Sequence, residues 1–144
     1  MPANEEPSHC EAHGLPLSDM QVKITSAGNI ATFRLYDTAA ARKFYDQLPL
    51  KLDLTNFGNA RWMFYPPEKL SVTAREAYRD GKKSELSYYE PWGDVVMFYS
   101  GFWSAAGLYE LGYAVSGNEY IQGMSGTVRI EKGDARQRAV VSLC

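Results

Sequence analysis

Histidine is nearly missing from this chain: its 144 residues include only His9 and His13, both near the start. An acyl-transfer triad needs an imidazole held rigidly beside a serine or cysteine, so hydrolysis of that kind is excluded unless the N-terminal segment folds back onto the body. Cysteine is equally scarce. Cys10 and Cys144 stand near opposite ends; two cysteines do not make a disulfide framework, and both are expected as free thiols in a reducing compartment. No cluster of basic residues exceeds the Lys82-Lys83 pair, the net charge is −2 and the pI is 5.7. Nucleic-acid binding draws most of its affinity from phosphate neutralisation and leaves a basic stripe, so no nucleic-acid partner is expected. No apolar run has membrane-spanning length, so no membrane association is expected. Met1-Pro2-Ala3-Asn4-Glu5-Glu6 lacks both the basic start and the apolar stretch of an export signal, which makes a cytoplasmic location the expectation. Gly107, Gly112 and Gly117 are spaced wrongly for a phosphate-cradling loop.

One short stretch has metal-ligand chemistry. In a helix, His9 and His13 would share a face, and with Cys10 they have the right donor types for zinc. No apolar stripe at helical spacing surrounds them, however, and no second ligand group follows. No metal and no cofactor are therefore expected.

The chain is rich in aromatic residues: three Trp, ten Tyr and six Phe. Most of the tyrosines lie in alternating segments, and large amphipathic rings suit a pleated, half-buried surface. Residues 1–19 carry Pro, Glu, Ser and His without an apolar period and read as a disordered tail. Residues 20–144 read as one domain. Val22 and Ile24, then Ala31, Phe33 and Leu35, alternate with polar neighbours on either side of Gly28-Asn29, the pattern of a β-hairpin. Asp37-Thr38 caps a helix over about 38–48, whose Ala41, Phe44, Tyr45 and Leu48 share one face, and Pro49 stops it. Strands follow at Leu50–Leu54, Arg61–Tyr65, Leu86–Tyr89, Val95–Tyr99, Tyr109–Val115 and Val128–Ile130; residues 66–84 read as a long loop. Val95–Tyr99, apolar throughout, is expected at the centre, buried on both faces. Many short strands and one early helix make a mainly β chain folded as a barrel or a sandwich.

Alternation also bears on the candidate site. Tyr88 and Tyr89 cannot both face the core of a regular strand. Glu85, Glu90 and Asp94 flank the same aromatic hairpin, where apolar surroundings would raise a carboxyl pKa, although acids at such positions usually form the solvent face.

Taken in order, several pieces resemble the bacterial and archaeal cyclophilin-like domain family. They are Leu35-Tyr36-Asp37, Leu48-Pro49-Leu50, Tyr65-Pro66-Pro67-Glu68-Lys69-Leu70, Leu86-Ser87-Tyr88-Tyr89-Glu90-Pro91-Trp92-Gly93-Asp94, Val96-Met97-Phe98-Tyr99, Leu111-Gly112 and Ser116-Gly117. The resemblance implies a closed cyclophilin-like β-barrel with one amphipathic helix and no established activity. Cyclophilins isomerise X-Pro bonds with an arginine in a Phe-His-Arg segment on the strand after the first helix. Here that strand reads Leu50-Lys51-Leu52-Asp53-Leu54, without the arginine or the histidine. The export leader and lipid-attachment cysteine of some members do not carry over, since no apolar stretch precedes Cys10.

The expected function is binding of a small molecule or peptide without catalysis, in a groove formed by Arg61, Tyr65, Tyr88, Tyr89 and Trp92 with residues 66–84 as its rim. Arginine and tyrosine would hold carbonyl or carboxyl groups there, and the ring faces an apolar portion. The alternatives are a peptidyl-prolyl isomerase acting through Arg61 and a subunit whose outward aromatics form a homo-oligomer interface.

Overall fold

The computed structural model describes residues 11–12, 15–58, 60–70, 72, 80–82, 85–100, 102–104 and 107–133. A short strand β1 (Glu11–Ala12) pairs with the start of β2 (Leu15–Ser26), which turns back into β3 (Asn29–Tyr36). Strand β2 thus begins ahead of the expected boundary at residue 20. Residues 1–10 of the expected tail, with His9 and Cys10, lie outside the described residues, as do His13 and Cys144. The early start is hidden in the sequence by a bulge. Leu17 pairs with Tyr36 and Gln21 with Arg34, so Ser18-Asp19-Met20 stand opposite Leu35 alone, and the two-residue period is lost there. The hairpin turn also sits one residue earlier than Gly28-Asn29. Its central residues are Ala27 (φ 51°) and Gly28 (φ 80°), both left-handed as the twist of a two-residue hairpin requires.

Helix α1 (Ala39–Asp46) falls inside the expected span. The Thr38 hydroxyl accepts a hydrogen bond from the Ala41 N–H at 3.1 Å, satisfying one of the free donors of the first turn. Ala40, Ala41 and Phe44 are buried, and the Phe44 ring lies 6.1 Å from that of Phe64. The remaining elements are β4 (Leu50–Asp53), β5 (Thr55–Phe57), β6 (Arg61–Phe64), β7 (Asp80–Lys82), β8 (Glu85–Tyr89), β9 (Asp94–Phe98), β10 (Phe102–Ser104), β11 (Leu108–Ser116), a 3₁₀ segment (Asn118–Gly123) and β12 (Thr127–Lys132).

The strands of the main sheet follow the order β4-β12-β2-β3-β11-β8-β9-β6-β5. Its two end strands are consecutive in the chain, joined through Leu54, whose N–H bonds the Gly126 carbonyl at 2.7 Å. One bent segment therefore hydrogen-bonds to β12 before the bend and to β6 after it, and the sheet closes into a barrel. This near-closure leaves no long unpaired edge among the described strands. The interior is filled by alternate residues of every long strand, among them Ile24, Phe33, Leu35, Phe64, Leu86, Met97, Leu111 and Ile130. Every residue of β9 is buried, as expected for the central strand. Two short strands, β7 and β10, form a separate ribbon. Strand β7 falls within the segment expected to be a loop, and it lies against β8 and β11.

Candidate functional site

Residues that pair directly in an antiparallel sheet share a face, so the register defines what the outside of β11, β8, β9 and β6 presents. One row runs Leu108, Tyr89, Asp94; the next runs Glu110, Ser87, Val96, Met63; the third contains Phe98 and Arg61, with Glu85 on the same face two residues before Ser87. An outer barrel face normally meets water, but this one does not. Met63, Val96, Phe98 and Leu108 form a second apolar cluster with Tyr89 packed against it, and Glu85, Ser87, Asp94 and Glu110 are all buried.

Asp94 is the unusual member. It is 0% exposed, and neither oxygen of its carboxylate has a hydrogen-bond partner among the described residues. Burial pushes its pKa up from 3.8 to about 6, because removal from water penalises the charged form. Two influences oppose that rise: its own backbone N–H, near enough to favour the charge without forming a geometric hydrogen bond, and the Arg61 guanidinium. Burial in turn lowers the Arg61 pKa, while Asp94 pulls it back up; an arginine stays charged throughout. The Arg61 guanidinium carbon lies 6.0 Å from the centre of the Phe98 ring, at the outer limit of a cation–π contact. On the flanking strands the Ser87 hydroxyl donates to Glu110 at 3.3 Å.

The turn that carries Asp94 is tightly made. The Trp92 and Gly93 N–H groups both donate to the Tyr89 carbonyl, at 3.2 and 2.9 Å, and Gly93 adopts the left-handed backbone (φ 71°) that lets the chain re-enter the sheet at Asp94. The turn also presents Trp92 edge-on to Tyr89, with ring centres 5.5 Å apart and planes at 76°. Trp92 and Tyr65 are each 51% exposed. Tyr65 directly follows Phe64, which pairs with Val95, and so stands at the same end of the sheet as Asp94.

Of the five residues expected in the groove, Arg61, Tyr65, Tyr89 and Trp92 thus belong to this outer face or its rim. Tyr88 does not. At 1% exposure it faces the barrel interior, and its hydroxyl accepts the Leu70 N–H at 3.3 Å, tethering the segment after β6. The neighbour rule required one of the two tyrosines to point inward, and Tyr88 is that one. Sequence reasoning placed Asp94 in the flanking turn and favoured the solvent face for it. It missed the burial because an acid at the end of a turn reads as solvent-facing, whereas Asp94 is 0% exposed. Glu90 is exposed, as an acid of the solvent face should be. No group of three His, Cys, Asp or Glu side chains able to hold a metal occurs among the described residues, and no helix there is long and apolar enough to cross a membrane.

Comparison with known proteins bears on the fold. A model of the cyclophilin-like family matches residues 24–131. Among solved structures, the solution structure of a hypothetical protein from Archaeoglobus fulgidus is similar with a TM-score of 0.70 at 17% identity, covering 83% of this chain and 99% of that one. At that identity the likeness concerns the fold alone. No curated protein matches.

Proposed function

The chain belongs to the cyclophilin-like family, and from that premise we propose that it binds a small molecule or short peptide, without catalysis, on the covered outer face of β6, β8, β9 and β11. The observation that carries this reading is the buried, unbonded Asp94 carboxylate beside Arg61 on an apolar floor. A carboxylate left without partners costs stability, and such costs concentrate where a protein binds or reacts. The Asp94 and Phe98 rows lie four positions apart on β9, about 13 Å along the strand. An occupant of matching shape offers a hydrogen-bond donor or ammonium to Asp94, an apolar body to Val96, Met63 and Phe98, and a carbonyl or carboxylate to Arg61. Tyr89, Trp92 and Tyr65 form its lip.

The test is a screen of dipolar small molecules and short peptides read by melting temperature and Trp92 fluorescence. A hit is expected to bind at least roughly ten-fold more weakly to Arg61→Ala and to Asp94→Asn, a loss of about 1.4 kcal/mol. A hit that both variants bind as well as the parent would place the site elsewhere. Arg61 beside Phe98 and Met63 also gives an arginine next to an apolar surface, as proline isomerisation demands. Non-catalytic binding predicts no acceleration of cis/trans exchange in an Ala-Pro peptide. Acceleration that disappears in Arg61→Ala would establish the isomerase instead.

A further inference from the structure

The four strands beyond β11 in the sheet order, β3, β2, β12 and β4, carry an outer face of different chemistry. Val128 and Ile130 of β12 point into the barrel, so Arg129 between them points outward. Arg129 pairs directly with Lys51 on one side and Thr25 on the other, and Thr25 pairs with Ile30; the four share one outer row. Like charges directly opposite each other weaken strand pairing. Both cations are exposed, and neither has an ion pair among the described residues. In the neighbouring rows Lys23 stands across from Glu131, and Asp53 accepts the Thr127 hydroxyl at 3.4 Å. At the far end of the cationic row the surface turns apolar. Ile30 is 45% exposed and Tyr120 52% exposed, and with Gly28 and Asn29 they line a hollow of about 210 Å³. The Asn29 side-chain amide donates to the Gly123 carbonyl at 3.0 Å and to the Ala27 carbonyl at 3.3 Å, which fastens the 3₁₀ segment to the hairpin tip. The hollow falls below the roughly 300 Å³ at which small-ligand sites begin, so it suits one side chain. Beside Tyr120 stands the exposed Glu119.

We propose that this patch is the self-complementary interface of a homodimer. A two-fold axis through the hollow sets Ile30 against the partner's Tyr120 and Tyr120 against the partner's Ile30, as a symmetric contact requires. The same rotation carries Glu119 towards the partner's Arg129. Neighbouring strands lie about 4.8 Å apart, so Arg129 stands about 10 Å from Ile30 along the row, a span that the long arginine and glutamate side chains cover between them. Lys51, one strand further on, adds to the cationic end. An acidic partner would meet Glu119 and a basic one would meet Arg129 and Lys51, whereas a second copy offers each charge its opposite. The patch is small, which places the dimer among weak, reversible contacts. None of its residues belongs to the Asp94 face, so it stands or falls independently of that site.

The experiment is sedimentation equilibrium of the full chain with a thiol reductant, at concentrations up to about 1 mM. The parent is expected to pass from monomer to dimer with a Kd of roughly 0.1 mM, and to dissociate further as salt screens the Glu119–Arg129 contacts. Ile30→Lys and Glu119→Arg are exposed substitutions, and each is expected to weaken the dimer roughly ten-fold or more. Adding Arg129→Glu to Glu119→Arg reverses both charged ends, and is expected to bring the affinity back to within about three-fold of the parent. A strict monomer at about 1 mM would leave the face to another occupant and overturn the proposal. So would a dimer that neither single substitution weakens, or a double reversal that associates no better than Glu119→Arg alone.

Discussion

Asp94→Asn is expected to stabilise the protein at pH 7 by about 3 kcal/mol and to leave its stability at pH 4 nearly unchanged. The sign follows from the direction of the pKa shift. Asp94 rises from 3.8 to about 6 in the folded chain, so the native state binds this proton more tightly than the unfolded state does. Stability from this group is fully present below the unfolded value of 3.8, is lost as pH climbs from there to about 6, and stays flat above that. A shift of about two units at about 1.4 kcal/mol each gives the total. Asparagine is neutral throughout and keeps a polar side chain of the same shape, so subtracting the two stability profiles isolates the ionisation. Urea denaturation of both proteins across this pH range is the measurement. Parallel profiles would show that the native carboxyl group keeps its ordinary pKa of 3.8, hydrated or paired, and would overturn the burial argument. A gain in stability from removing a native charge, joined to a loss of ligand binding, is the trade expected of a functional group held in a costly setting.

Gly117→Ala is expected to act in the opposite direction and as strongly. Gly117 precedes the 3₁₀ segment with φ 76°, a conformation that costs an alanine about 1 kcal/mol or more. A methyl group there would also run into the backbone, overlapping the Ile30 carbonyl and standing 2.9 Å from the Ala31 Cα. Neither neighbour is the movable end of a side chain, so β3 itself must shift, and overpacking of that kind costs a further 1–3 kcal/mol, roughly. The expected loss is about 3 kcal/mol. Gly28→Ala is the control: Gly28 also has positive φ (80°) but nothing within 4 Å of the added methyl, so only the conformational cost of about 1 kcal/mol is expected. Equal losses at the two positions in thermal unfolding would remove the close approach of β3 to the turn after β11.

Where one face of a strand meets the barrel interior and nothing interrupts the ladder, side-chain alternation alone located the element. Phe33 and Leu35 on β3, Val128 and Ile130 on β12, and the Ala41–Phe44 face of α1 are of this kind. Three features escaped for separate physical reasons. The bulge at Ser18–Met20 broke the period and hid the start of β2. A second bulge shifts the register of β11 between Glu110 and Gly112, so Tyr113 ends beside Tyr36, with ring centres 6.0 Å apart, instead of on the face of Leu111. The ribbon of β7 and β10 is too short to carry a period at all. The site divides along the same line. Arg61, Tyr89 and Trp92 were recognisable from strand position and turn chemistry. The burial of Asp94 was not, since an acid closing a turn reads as solvent-facing until the layer over it is known.

The central feature is the Asp94 carboxyl group, shut away from water on the outside of the barrel, with an arginine near it and no hydrogen bond among the described residues to hold its charge. Following the side-chain carbonyl carbon of Asp94 by NMR through a pH titration tests this most directly. A midpoint near 6 is the predicted result; a midpoint at or below 3.8 would contradict it, because the group would then be hydrated or held in its ionised form by a native partner.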